Sequence, residues 1–260
     1  MRATEIIFGQ TYSLIVRNFR YNQFYTLINI GGLAAGFCCA IFIILFLIDE
    51  YSFDKHHKNK DRIYRLESDF TINARNQQVA KTSFTFGPIF KEMFPEIEEF
   101  VRFREMEAMA IRHDKQQHLE TGIFYCDSSI FNVFSHRIIY GTADDALSEP
   151  KTMVLTRSMS ERYFGDTDPC GLFLEFGNGI KCMVTAVIED VPGNSHLKFD
   201  GLVSMGTFAH IIGEDVFRNL EREQPWAFRI FTYILIRENA SIESIHKRRG
   251  LCSLPGRPVG

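Results

Sequence analysis

The pattern of apolar and polar residues divides the chain into one long uncharged stretch and a region of short alternating elements. No charged residue occurs from Tyr21 to Ile48. The apolar part, Leu27 to Ile48, comprises 22 residues and would form a helix of about 33 Å. A bilayer core is about 30 Å thick. Soluble helices of this length normally keep a polar face, so the pattern predicts a transmembrane helix over residues 23–49.

Two other interpretations of this stretch are possible. A buried helix of a soluble protein is the first, and the missing polar face disfavours it. A cleaved signal peptide is the second. The apolar run is too long for a signal core, begins more than 20 residues into the chain, and is followed by no small-x-small cleavage site. A retained anchor fits the sequence best.

Small residues cluster in the first half of the span, at Gly31, Gly32, Ala35 and Gly36. Small side chains let helices approach closely, so this face is a candidate for packing against other membrane helices. The alternative is that Gly and Ala are simply common in membrane helices. The residues alone leave both interpretations open.

Residues 1–22 are predicted to form an amphipathic helix at the membrane interface, with Arg17 and Arg20 near the lipid headgroups. The alternative is a plain extension of the span. Basic residues number three before the span, in residues 1–20, and five after it, in residues 49–68. That count favours a cytoplasmic C-terminal side, but long domains translocate largely regardless of charge. Charge therefore leaves the orientation open.

Residues 50–245 alternate short strand and helix patterns, which predicts an α+β domain. Thr156 and Gly165 bracket a predicted helix as its cap and its stop. The Gly177-Asn178-Gly179 sequence predicts a hairpin turn. Composition agrees with a folded domain, because 25 Phe and 9 Tyr supply core material. The net charge of −3 and the lack of a basic stripe argue against nucleic-acid binding.

The sequence offers no constellation that carries chemistry. It contains no phosphate-binding GxxxxGK[ST] loop, no HExxH, no GxSxG and no CxxC. We therefore assign no catalytic residue, no cofactor and no metal ligand. Cys170 and Cys182 flank the predicted hairpin, and a disulfide between them is conceivable in an oxidising compartment.

Long collinear blocks of the chain resemble MacB-type (FtsX-like) permeases of ABC transporters, and especially the large two-half permeases of Bacteroidetes-like bacteria. The resemblance covers about residues 11–245. It includes GPIFKEMFPEIEEF, the segment around Glu149-Pro150 and Tyr163-Phe164-Gly165, and NSHLKFD. Its N-terminal block matches the family at these positions: Arg17-Asn18, Asn22, Ile28-Asn29-Ile30, Gly32-Leu33-Ala34, Gly36, Asp49-Glu50, Ser52-Phe53-Asp54, His57, Asn59 and Asp61–Arg65.

The resemblance implies an inner-membrane protein with its N-terminus in the cytoplasm and a two-lobed α+β periplasmic core domain. It implies that ATP hydrolysis on a separate ABC ATPase subunit drives efflux or mechanical transmission. Other implied partners are further permease helices or a second permease half, membrane lipid, and a periplasmic adaptor with an outer-membrane factor.

The chain departs from the family at its C-terminal end. The further membrane helices of the family do not follow Ile245, and residues 246–260 read as an atypical, disordered tail of a C-terminally truncated fragment. Cys170 stands where the family has an apolar residue. One alternative function is a single-span, membrane-anchored periplasmic sensor or scaffold. A second alternative is a membrane-anchored enzyme.

Overall fold

The structure is a computed structural model that describes residues 23–52, 57–72, 75–222, 229–242 and 245. The chain divides into two compact units, residues 1–52 and residues 53–260. The predicted interfacial helix over residues 1–22, with Arg17 and Arg20, lies outside the described residues, as does the predicted tail over residues 246–260.

The described part of the first unit is one helix, α1, which runs from Gln23 to Ser52. Its residues 23–48 form the one helix in the described part of the chain that is long and apolar enough to cross a membrane. Large apolar side chains such as Phe24, Leu33 and Phe42 are exposed around it, at 85, 64 and 72%. An apolar surface on every side is typical of a helix that lies in lipid or among other helices, which agrees with the predicted span.

The second unit contains thirteen strands and five α-helices among the described residues. The strands are β1 (Ile63–Leu66), β2 (Ser68–Ile72), β3 (Arg75–Val79), β4 (Ile97–Glu105), β5 (Met109–His113), β6 (Gln116–Glu120), β7 (Ile123–Cys126), β8 (Ile138–Gly141), β9 (Thr152–Thr156), β10 (Phe173–Phe176), β11 (Lys181–Ile188), β12 (Gly201–Ser204) and β13 (Phe231–Ile236). The helices are α2 (Phe86–Met93), α3 (Ile130–Val133), α4 (Arg157–Phe164), α5 (Met205–Ile212) and α6 (Glu214–Arg222). A short 3₁₀ helix, Lys60–Arg62, precedes β1.

Eleven of the strands form one mixed sheet in the order β1-β13-β4-β7-β12-β9-β11-β10-β5-β6, with β8 paired to β11. The pairs β7–β12 and β9–β11 are parallel, and the remaining pairs of this sheet are antiparallel. Strands β2 and β3 form a separate hairpin. The predicted α+β class with an N-terminal apolar helix is confirmed, and the division of the domain into two lobes stays a prediction.

The core lies on both faces of the central strands. Along β9, Met153 and Leu155 belong to one cluster of buried side chains and Val154 to another. Neighbouring residues of a strand point to opposite faces, so the two clusters cover opposite sides of the sheet. Since β7, β9 and β12 are buried along their whole length, they read in the sequence as continuous apolar runs rather than as alternating ones.

Local signals placed several elements correctly. The Thr156 side chain accepts a hydrogen bond from Met159 N, and Gly165 ends α4 at a φ of 66°. The apolar stretch at residues 119–124 is divided between two strands, because Gly122, at a φ of 74°, separates β6 from β7. Strand β8 and helices α5 and α6 were not predicted, because each is short and its character is decided by contacts with distant segments.

Candidate functional site

None of the described residues packs on the small-residue face of α1 at its glycines. At about 100° per residue, Gly31, Gly32, Ala35 and Gly36 lie on one side of the helix. A Cβ atom added at Gly31, Gly32 or Gly36 would meet no atom within 4 Å. Packing of this face against partner helices stays a prediction, and the open space means that any effect of a larger side chain there would come from a partner.

The structure does not form the proposed Cys170–Cys182 disulfide, because both residues are free thiols. Cys182 pairs with Leu174 in the β10–β11 ladder, whereas the Cys170 thiol lies beside the carbonyl oxygen of Thr185 at 3.6 Å. Cys182 and Thr185 are three residues apart along β11, or about 10 Å in a strand. A disulfide needs Cα atoms within about 7 Å. Burial raises the pKa of the Cys182 thiol to about 12, so it is an inert core residue.

Arg102, on β4, forms a buried ion cluster that ties three segments together. Its Nε and Nη2 donate to the two carboxylate oxygens of Asp127 at 2.8 and 2.9 Å. Its Nη1 donates to Glu221 on α6 at 2.5 Å and to the Phe84 carbonyl at 3.2 Å. Burial alone would lower the pKa of Arg102, but the two carboxylates outweigh it and raise that pKa. Four of its five guanidinium N–H donors are bound to groups of the protein, so this cluster is structural.

Glu120, at the end of β6, is the centre of a second cluster. It is 3% exposed and accepts hydrogen bonds from Arg162 Nη1 at 2.7 and 2.6 Å. The Tyr163 hydroxyl donates to Glu120 at 2.9 Å. Burial, together with this bond to a carboxylate, raises the pKa of Tyr163. The cluster fixes helix α4 to the β5–β6 hairpin.

A small polar cleft of about 380 Å³ lies at the start of α4 and includes Ser158, Asp190, Lys198 and Asp200. The Asp190 carboxylate accepts hydrogen bonds from the Ser158 backbone N–H and hydroxyl at 2.9 and 2.6 Å. These bonds satisfy orphan donors at a helix N-terminus. Burial raises the pKa of Asp200. The cleft lining includes no histidine to activate the Ser158 hydroxyl, so it lacks the arrangement for nucleophilic catalysis.

Two histidines of the domain, His113 and His118, also have structural surroundings. His113 lies 3.0 Å, through Nδ1, from the Phe173 carbonyl oxygen, and the His118 ring packs edge-on against Tyr163 at 5.3 Å between centroids. Among the described residues, no group of three or more His, Cys, Asp or Glu is placed to hold a metal ion.

A larger cavity of about 600 Å³, here called the Arg104 cavity, lies at the end of β4. Its lining includes Arg104, Met106, Met109, Tyr125 and Arg229. The guanidinium of Arg104 stacks on the Phe208 ring, 4.2 Å from its centroid. Its lining combines apolar side chains with two cations, Arg104 and Arg229, that form no ion pair with a described carboxylate.

Sequence reasoning singled out neither Arg102 nor Arg104. Both lie on β4 in the stretch Phe100-Val101-Arg102-Phe103-Arg104, where a charged residue at every second position is typical of a strand with one solvent face. Arg102 is instead buried, because carboxylates and aromatic rings from distant segments cover it. The aromatic residues that surround these two cations in the sequence were the one local signal that Arg102 is buried.

Comparison with known proteins was made on both sequence and structure. Residues 26–248 match the family described as MacB-like periplasmic core domain. No curated protein sequence matches the chain. The sequence match begins inside α1 and continues through the β-sheet domain.

Two solved structures have a similar fold. One is a domain of a candidate permease protein from Porphyromonas gingivalis, with 18% sequence identity and a TM-score of 0.64, covering 75% of this chain and 81% of that one. The other is the periplasmic region of MacB from Actinobacillus actinomycetemcomitans, with 12% identity and a TM-score of 0.51, covering 73% of this chain and 81% of that one. At these identities the likeness concerns the fold alone.

Proposed function

Because the chain belongs to the family of MacB-like periplasmic core domains, we propose that it is a permease component of an ABC transport system of the MacB/FtsX type. In this proposal ATP is hydrolysed on a separate subunit in the cytoplasm. Helix α1 and its partner helices transmit the resulting movement to the periplasmic domain. The outcome is efflux or mechanical transmission across the envelope rather than chemistry on a substrate.

The observation that carries the proposal is the continuity of the family match across the apolar helix and the domain. The match starts at residue 26 and ends at residue 248, so it includes most of the candidate span at 23–48. A free-standing periplasmic enzyme or binding protein has no need of a retained apolar helix at this position. The combination favours a domain that works through the membrane.

The chemistry of the described residues supports a mechanical role. The two buried ion clusters, around Arg102 and Glu120, have their charged groups bound to one another. Such clusters fix segments in place, and neither leaves a carboxylate or guanidinium directed at a substrate. A domain that must transmit movement as one body benefits from links of this kind between distant strands and helices.

The proposed arrangement places the N-terminus in the cytoplasm, α1 across the inner membrane and the domain in the periplasm. Single cysteines introduced on the two sides of α1 test it, in a background without the native cysteines. Leu119, on β6, is 73% exposed and suits the domain side; residue 2 suits the N-terminal side. A membrane-impermeant maleimide should label Leu119→Cys in intact cells and Arg2→Cys only after lysis. The reverse pattern would overturn the proposed orientation.

Partnership with an ATPase is tested by co-purification from membranes of the native host. The chain, tagged at its N-terminus and expressed at its natural level, should carry with it a protein that has a phosphate-binding loop and binds ATP. An unrelated tagged single-span protein is the control. Recovery of the chain alone, in a detergent that preserves known ABC complexes of the same membrane, would contradict the proposal and favour a sensor or scaffold.

A further inference from the structure

The Arg104 cavity has the size and the lining of a ligand site. Its volume of about 600 Å³ lies within the range of about 300–1,000 Å³ that small-molecule sites occupy. The apolar part of the lining includes Met106 and Met109, and the cationic part includes Arg104 and Arg229. These features are independent of the ion clusters around Arg102 and Glu120.

Arg104 is held in position by aromatic rings rather than by carboxylates. It pairs across the strands with Tyr125, and its guanidinium carbon lies 4.2 Å from the Phe208 ring centroid and 5.9 Å from that of Tyr125. No carboxylate of the described residues lies within ion-pair distance of it, unlike Arg102 two residues earlier. Its forked donors are therefore pre-oriented and bind no group of the described residues.

Arg229 brings a second cation to the same cavity. Its backbone N–H donates to the Thr82 carbonyl at 3.1 Å, which fixes the start of the segment, and no ion pair to a described carboxylate engages its side chain. Burial lowers the pKa of Arg104, and the charge of Arg229 lowers it further. Of the acidic residues at the rim, Glu105 pairs with Lys81 at 3.7 Å, and the exposed Glu107 offsets the effect of Arg229 on the pKa of Arg104 only in part, since that pKa stays lowered. An anion between the two guanidinium groups would relieve their repulsion.

Tyr125 supplies a third, independent indication. The residue is 6% exposed and lines the cavity, yet its hydroxyl has no hydrogen-bond partner among the described residues. Burial raises the pKa of this phenol, so the hydroxyl keeps its proton and can donate it. The hydroxyl belongs to a residue that lines the cavity, so a ligand atom bound there can accept its hydrogen bond.

We propose that the Arg104 cavity binds a small soluble amphiphilic anion. Its carboxylate or phosphate group lies between Arg104 and Arg229 and accepts a hydrogen bond from Tyr125, while its short apolar body packs against Met106 and Met109. This inference goes beyond the permease role and does not depend on it, since no ATPase or partner helix takes part in the binding.

The test uses the full chain in uncharged maltoside micelles, with hexyl phosphate as the probe. Binding is measured by the broadening of the ³¹P resonance of hexyl phosphate. Hexanoate should compete for the site, inorganic phosphate should bind at least about tenfold more weakly, and hexanol should not compete. Arg104→Gln and Arg229→Gln should each weaken binding by about tenfold or more, as expected for charge-assisted hydrogen bonds. Tyr125→Phe should weaken it by roughly three- to tenfold.

Arg137→Gln is the matched control, because Arg137 is an exposed cation that pairs with Glu189 away from the cavity. It should leave the affinity unchanged. Arg229 is exposed, so Arg229→Gln should keep the wild-type unfolding temperature and remains informative if Arg104→Gln does not fold. Absence of broadening, or equal affinity in Arg229→Gln and wild type, would overturn the site. Equal binding of inorganic phosphate would overturn the amphiphilic ligand.

Discussion

Arg102 and Asp127 form a bidentate ion pair inside the domain, with Nε and Nη2 of the arginine 2.8 and 2.9 Å from the two carboxylate oxygens. The Asp127 carboxylate also accepts a hydrogen bond from the Arg102 backbone N–H at 2.9 Å. The arginine side chain is 6% exposed and that of Asp127 15%. This pair joins the middle of β4 to the segment that follows β7, and Glu221 extends it to α6.

Asp127→Ala should destabilise the domain strongly, because it leaves the buried Arg102 charge without its main partner. Breaking a buried pair from one side costs about 3–5 kcal/mol. Urea unfolding of the purified chain, followed by circular dichroism, measures the change in free energy of unfolding. Glu98→Ala is the control, since the Arg62–Glu98 pair has side chains 23 and 45% exposed and should contribute less than about 1 kcal/mol. Equal effects of the two substitutions would refute a structural role for the Arg102 cluster.

The hydrogen bond from Tyr163 to Glu120 predicts a loss of stability at high pH. Burial and the bond to a carboxylate raise the pKa of Tyr163 above the ordinary value of 10.0, so the unfolded chain releases this proton first as the pH rises. The stabilisation is complete below about pH 10 and is lost as the pH rises toward the folded-state pKa. Between pH 8 and pH 11, the free energy of unfolding should fall less in Tyr163→Phe than in the wild type. Parallel pH profiles would count against this assignment.

Gly141 is a position where the fold requires glycine. It has a φ of 83°, and a Cβ atom there would lie 2.2 Å from the Thr185 carbonyl oxygen of β11. Gly141→Ala should cost about 2–4 kcal/mol from backbone strain and overpacking together. Gly179→Ala is the matched control: its φ is 81°, but the space around it is open, so only strain of about 1–2 kcal/mol applies. If the two variants had the same unfolding temperature, the close contact between β8 and β11 at Gly141 would be refuted.

Gly32→Leu tests the packing face of α1. Since a Cβ atom at Gly32 meets nothing within 4 Å, the leucine fits the chain itself, and we expect it to weaken assembly with partner helices by preventing close approach. The measurement is the yield of co-purified membrane partners relative to the wild type. Ala34→Leu adds the same side chain about 200° around the helix and should reduce the yield less. An unchanged complex in Gly32→Leu would refute the packing role.

Much of the fold was predictable because its signals are local. The uncharged run from Tyr21 to Ile48 indicates α1 by length alone, and the Thr156 cap and Gly165 stop bound α4 because each acts within one turn of helix. The class of the domain followed from the alternation of such local patterns. The order of the strands did not, because pairs such as β1 with β13 join segments more than 160 residues apart.

The site residues were harder to predict for the same physical reason. Arg104 becomes notable only when Phe208 stacks on it and Arg229 faces the same cavity, and both lie more than 100 residues away along the chain. The Cys170–Cys182 pairing, which the sequence leaves open, is not formed in the structure, because closeness in sequence across a hairpin does not fix register. In the structure Cys182 lies opposite Leu174, and Cys170 lies beside Thr185.

The measurement that tests the central claim most directly is the rate of ATP hydrolysis by the associated ATPase in lipid nanodiscs, with and without this chain. If the chain is a permease component, its presence should change that rate, and Gly32→Leu should reduce the change in proportion to the complex that it loses. The proposed coupling between ATP hydrolysis and the periplasmic domain would be contradicted if the hydrolysis rate were the same in three samples: the ATPase alone, with the wild-type chain, and with Gly32→Leu.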